Sequence, residues 1–177
     1  MNDEIVANDL SWALNDLVLD LISAVSMGRE VLAADRNGPG GIEKLCGRLR
    51  VCNHSIVLSL FKLNELRNHY GAFIKKLPVS VVEDFFSHMK KVKKFNVGDL
   101  RNAHVAHPID QKTNAPISIE KLEGLMGLMT GKDNLDSESF YRWICPEKPS
   151  GEKCLVNSML AIIGLCREVT KDQFKRS

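Results

Sequence analysis

At 177 residues, with 44% apolar and 26% charged side chains, the chain has the make-up of one soluble globular domain with a full hydrophobic core, which excludes a disordered or low-complexity protein. Its five cysteines (Cys46, Cys52, Cys145, Cys154, Cys166) form no C-x-x-C pair and no metal-ligand spacing, so most of them read as small apolar packers, in a reducing cytoplasm. No basic start with an apolar signal core is present and no run approaches about 18 apolar residues, so neither a secretion signal nor a membrane span is expected.

The apolar spacing is helical along the whole chain. Leu10, Leu14, Leu17, Leu21, Val25 and Leu32, apart from Gly28 in between, predict a first helix from about Asn8 to Asp35, and Asn37-Gly38-Pro39-Gly40-Gly41 stops it. Ile42, Leu45, Leu49, Cys52, Ile56, Leu63, Leu66, Tyr70 and Phe73 alternate three- and four-residue steps. They predict a second helix on the order of 50 Å long, unless it breaks near Asn53, packed lengthwise on the first. Pro78 opens a third segment whose buried stripe is Val82, Phe85, Phe86, Met89 and Val92, with the lysines mostly opposite.

Asn96 to Gly98 interrupts this segment before a motif helix, for which Asn96 or Asp99 is the candidate cap. Pro108 to Pro116 reads as a polar loop, and Ser118 caps a helix through Leu122, Leu125, Met126 and Met129 that Gly131 ends. A short helical piece at Phe140 to Ile144 and a last helix through Leu155, Met159, Ile162, Cys166 and Val169 complete the chain. No alternating strand pattern and no internal repeat is present, so the expected fold is all-α, an up-and-down bundle of about five helices in a single domain over residues 1–177.

Chemistry concentrates in Asp99-Leu100-Arg101-Asn102-Ala103-His104-Val105-Ala106-His107-Pro108. A residue before proline is pushed out of the α region, so the helix carrying Arg101 and Asn102 is expected to end near Ala106 and to leave His107 at its mouth, free to fold back towards the arginine. Basicity gathers just upstream. The net charge of +2 says little as a total, but from Lys75 to His107 seven cations face three anions, leaving this segment at +4 and the rest at −2. Within it Lys90, Lys91, Lys93 and Lys94 are the candidate residues for binding a polyanion; the plainer reading is a solvated lysine face.

Arg101, the polar Asn102, four further residues and His107 resemble the R-polar-x4-H signature of the HEPN superfamily, small all-helical domains common among prokaryotic toxins and abortive-infection proteins. The resemblance implies a HEPN-like fold and puts Arg101, Asn102 and His107 in the catalytic positions of metal-independent endoribonucleases that leave 2′,3′-cyclic phosphate and 5′-OH ends, with no cofactor and no metal. It also implies a homodimer whose motifs face each other across a cleft, and a possible antitoxin or other regulatory protein as partner. His104, three residues from Arg101 and on its helix face, is a second candidate for the key histidine. Arg48 and His54 fit a looser Arg-to-His spacing, but Leu49 follows Arg48 and no proline exit follows His54.

These residue types suit RNA cleavage. The ribose 2′-OH is an internal nucleophile, so the enzyme must supply a proton acceptor, a proton donor and a cation for the phosphate oxygens, which imidazole and guanidinium provide near neutral pH. One histidine per motif also suits a dimer, since two-fold symmetry sets a second opposite it. The competing reading is a catalytically inactive HEPN-like helical module binding a protein partner or a nucleotide. In it Arg101 is a salt-bridge partner of Asp99 or Glu83, and His107 a helix-terminal group.

Overall fold

The computed structural model describes residues 2–34, 41–102, 109–110, 114–148 and 151–171. Helix α1 spans Asp3–Ala33 and starts earlier than the leucine spacing indicates. Asn2 accepts the Glu4 N–H at 3.1 Å, satisfying an orphan helix-start donor, and Val6 and Ala7 extend the buried stripe by a turn. Contrary to the expectation from run length, α1 is long and apolar enough on average to cross a membrane, because Asp16 and Asp20 interrupt the run without lowering its mean much. Its Leu10, Leu14, Leu17, Leu21 and Val25 are spent on the bundle's own core.

Helix α2, Gly41–Ile74, passes Asn53 unbroken, and its 34 residues span about 51 Å. Asn53 is tolerated there because the buried Tyr141 hydroxyl donates to its Oδ1 at 3.2 Å. Helix α3, Val79–Lys94, begins after Pro78. Asn96 then takes a left-handed conformation (φ 51°, ψ 47°) that turns the chain into the single helical turn α4, Val97–Leu100. Asn96 holds the N-cap position but makes no side-chain cap bond; its amide donates to Asp99 Oδ2 at 2.6 Å. Arg101 and Asn102 continue in a wider, π-type turn.

Within the stretch expected as a polar loop, β1 (Ile109–Asp110) and β2 (Ala115–Pro116) pair antiparallel, Ile109 opposite Pro116. Helix α5, Ile119–Thr130, is bounded as predicted: Ser118 Oγ accepts the Lys121 N–H at 3.3 Å, and Gly131 ends it at φ 76°, where a Cβ would collide with Asp136. Helix α6, Asn134–Ile144, is longer than the aromatic run suggested because Asp133 caps it, accepting the Asp136 N–H at 2.8 Å. Helix α7 is Leu155–Lys171.

The architecture is an all-α bundle. Seven helical elements stand among the described residues rather than about five, the surplus coming from short pieces such as α4. Helix α1 lies against α2, α6 and α7, α3 packs on α2 and α7, and α4 rests on α2 and α5. A side-chain strap ties α1 to the far end of α6. Arg29 pairs with Glu138 at 2.9 Å and donates to the Cys145 carbonyl at 2.9 Å.

Candidate functional site

Arg101 is half-buried where the α4 turn meets α2. Its backbone is helical (φ −59°, ψ −46°), and its N–H donates to the carbonyls of Val97 and Gly98. The guanidinium carbon lies 5.1 Å from the centre of the Phe61 ring, and Nη1 donates to the Asn102 side chain at 3.0 Å. Among the described residues no carboxylate pairs with it, neither Asp99 nor Glu83. The ion pair with Asp99 or Glu83 that the sequence offered for Arg101 is therefore not formed there. The two histidine candidates, His104 and His107, and Pro108 lie outside the described residues.

The four upstream lysines do not act as one face. All are exposed, but successive helical residues point about 100° apart. Lys90 and Lys93 line an open hollow of about 210 Å³ between α2 and α3, with Asn64, Arg67 and Lys75 from the α2 side and Phe86 and Met89 from α3. Lys91 turns away, its Nζ 4.5 Å from the centre of the Trp143 ring, and desolvation of the ammonium against the protein lowers its pKa although the residue as a whole stays exposed. Lys94 does not line the hollow. Nothing in the segment around Asn64 and Arg67 marks them in the sequence; they meet Lys90 and Lys93 at the hollow only when α3 folds back along α2.

The competing histidines are otherwise engaged. His54 Nε2 lies 3.4 Å from Arg50 Nε, and burial followed by the Arg50 charge lowers its pKa. Cys52 beside it is buried and its thiol pKa is raised chiefly by desolvation, while Asn53 is taken by Tyr141, so no nucleophilic array forms. His69 is exposed and meets Tyr70 edge-on. His88 is half-buried, and its Nδ1 accepts the Trp143 indole N–H at 2.9 Å. Among the described residues no three His, Cys, Asp or Glu side chains converge as a metal site would require.

No family model matches the chain, and no curated protein does. A solved structure does share the fold. The integron cassette protein Vpc_cass2, from the mobile metagenome of V. paracholerae, superposes with a TM-score of 0.76 over 94% of this chain and 98% of its own, at 23% identity. At that identity the likeness is one of fold. It extends over nearly the full length, so the bundle is a recurring architecture rather than a peculiarity of this sequence.

Proposed function

We propose that the protein is a metal-independent endoribonuclease of toxin or phage-defence type, a HEPN-like enzyme that works in the cytoplasm as a homodimer. In this reading Arg101 grips the non-bridging oxygens of the scissile phosphate, and Asn102 steadies the guanidinium or holds the ribose. His107 takes the proton of the 2′-OH as that oxygen attacks phosphorus, and the departing 5′-oxygen receives a proton from the symmetry-related His107. The bond to the 5′-oxygen breaks as the 2′ bond forms, leaving a 2′,3′-cyclic phosphate and a 5′-OH.

The observation that supports this most is the state of Arg101: half-buried, held by Phe61 and Asn102, and without a carboxylate partner among the described residues. An arginine held by neutral groups keeps its planar donor fork open to the two-point contact with phosphate oxygens. An antitoxin or other regulatory protein is the natural further partner of such an enzyme. Incubation of the purified protein with end-labelled RNA in excess EDTA tests the proposal. Fragments with cyclic-phosphate ends are expected; intact RNA across protein concentrations that favour dimers leaves the inactive, partner-binding module as the reading.

A further inference from the structure

We infer that the hollow between α2 and α3 is a track for a single RNA strand, its phosphates held by Arg67, Lys75, Lys90 and Lys93, leading to Arg101. The inference rests on the ribonuclease reading for what happens at the end of the track, but not for the binding itself.

Charge is the first argument. Four of the seven side chains lining the hollow are cations and none is a carboxylate. Among the described residues, the ion pairs engage Arg29, Lys76, Arg142 and Lys153 and leave all four groove cations without one. The contrast is sharpest between neighbours, since Lys76 is held by Asp3 at 2.8 Å while Lys75 is not paired. Cations that converge on a concavity without counter-charges bind a polyanion with release of its counterions.

Shape and chemistry are the second. Phe86 and Met89 give the hollow an apolar floor, and the Arg67 guanidinium carbon lies 5.8 Å from the Phe86 ring centre. A half-exposed aromatic flanked by cations is what an unpaired base or ribose stacks on, and Asn64 adds an amide able to read a base edge. At about 210 Å³ the hollow holds one segment of a strand passing through, not a folded RNA.

Direction is the third. Phe61, Asn64 and Arg67 follow one another at three-residue steps on α2, rising about 9 Å along its axis while winding about 120° around it. Arg101 sits over Phe61 at one end of this row, and Arg67 sits over Phe86 at the other. An acidic peptide would use the cations but has no need of the stacking floor or of the run towards Arg101.

The test uses the full chain and a fluorescein-labelled 2′-O-methyl RNA 12-mer, which binds but lacks the nucleophile, with anisotropy read in EDTA from about 50 to 300 mM KCl. The wild type is expected to bind, and Arg67→Gln/Lys93→Gln to weaken binding roughly tenfold and flatten the log–log salt slope by about 1.4, as loss of two single-strand phosphate contacts requires. Lys44→Gln/Arg48→Gln removes the same charge about 30 Å away along α2 and is expected to bind like the wild type. Absent binding by the wild type, an unchanged slope in the groove variant, an equal loss in both variants, or displacement by poly-glutamate as readily as by unlabelled RNA each overturns the inference. If the wild type binds through the groove yet cuts no natural RNA, the track stands and the ribonuclease reading falls. If it cuts RNA and the groove variant binds and cuts equally well, the reverse holds.

Discussion

Trp143 donates its indole N–H to His88 Nδ1 at 2.9 Å, tying α6 to α3, while Lys91 covers the same ring at 4.5 Å. The bond requires Nδ1 to be unprotonated. Burial is the largest influence on His88 and lowers its pKa below 6.5; Asp84 opposes this, and Lys91 and Lys153 reinforce it. Between the depressed folded value and 6.5 the unfolded chain binds more protons than the folded one, so stability rises with pH across that window. The contribution is complete above the unfolded value and is lost as pH falls through the folded one. Urea unfolding at a series of pH values should show this decline, shallower in His88→Gln. An identical pH profile for the variant would mean that the decline belongs to other groups, among them His54, whose pKa is lowered in the same direction.

Gly28 of α1 is a point of close approach. A Cβ there would lie 2.7 Å from both Cζ and the hydroxyl of Tyr141, a fully buried ring also held by Asn53. The ring cannot swing away as a surface side chain would. Gly28→Ala is expected to destabilise by about 1–3 kcal/mol despite alanine's better helix propensity, which corresponds to a melting shift of about 2–4 °C per kcal/mol. A melting temperature equal to or above that of the wild type would show that α6 repacks without cost.

The thiols divide by exposure. Cys46 is exposed, while Cys52, Cys154 and Cys166 are buried, with burial pushing their pKa values up, that of Cys166 to about 11. Cys145 is intermediate and is shifted upwards for the same reason. Thiolate is the reactive form, so an aromatic disulfide reagent at about pH 8 should label one thiol fast in the native protein and the rest only on unfolding. Cys46→Ser should remove the fast phase; a fast phase that survives would show that a buried face opens.

The helices were legible because each buries one stripe at three- and four-residue spacing, and because Ser118 and Gly131 carry local chemistry that needs no tertiary partner. The groove was not. Counting charge along the chain grouped Lys91 with Lys90 and Lys93, whereas the helix sends Lys91 to Trp143 and the other two to Arg67. Contacts such as Arg101 with Phe61, or Trp143 with His88, join residues far apart in the chain, and no local pattern announces them. Arg101 entered as a candidate from its neighbours alone, since charge, amide and imidazole beside a proline stand out before any packing is known.

The site itself is tested by Arg101→Ala and His107→Ala, each expected to abolish metal-independent RNA cleavage in a folded protein. Arg101 gives up only a contact with Phe61 and a bond to the exposed Asn102, so its removal should cost about 1 kcal/mol or less of stability. Loss of a proton-transfer group removes about 10² to 10⁴ in rate, and loss of a transition-state cation a comparable factor. Arg101→Lys is the sharper experiment. Lysine keeps the charge but not the planar two-point grip, so little cleavage should return although RNA binding through α2 and α3 persists. His104→Ala made alongside ranks the two histidines: loss of cleavage in that variant with full activity in His107→Ala would transfer the proton-transfer role to His104. If instead Arg101→Ala cleaves as fast as the wild type, the arginine is a strut for Phe61 and the chemistry lies elsewhere.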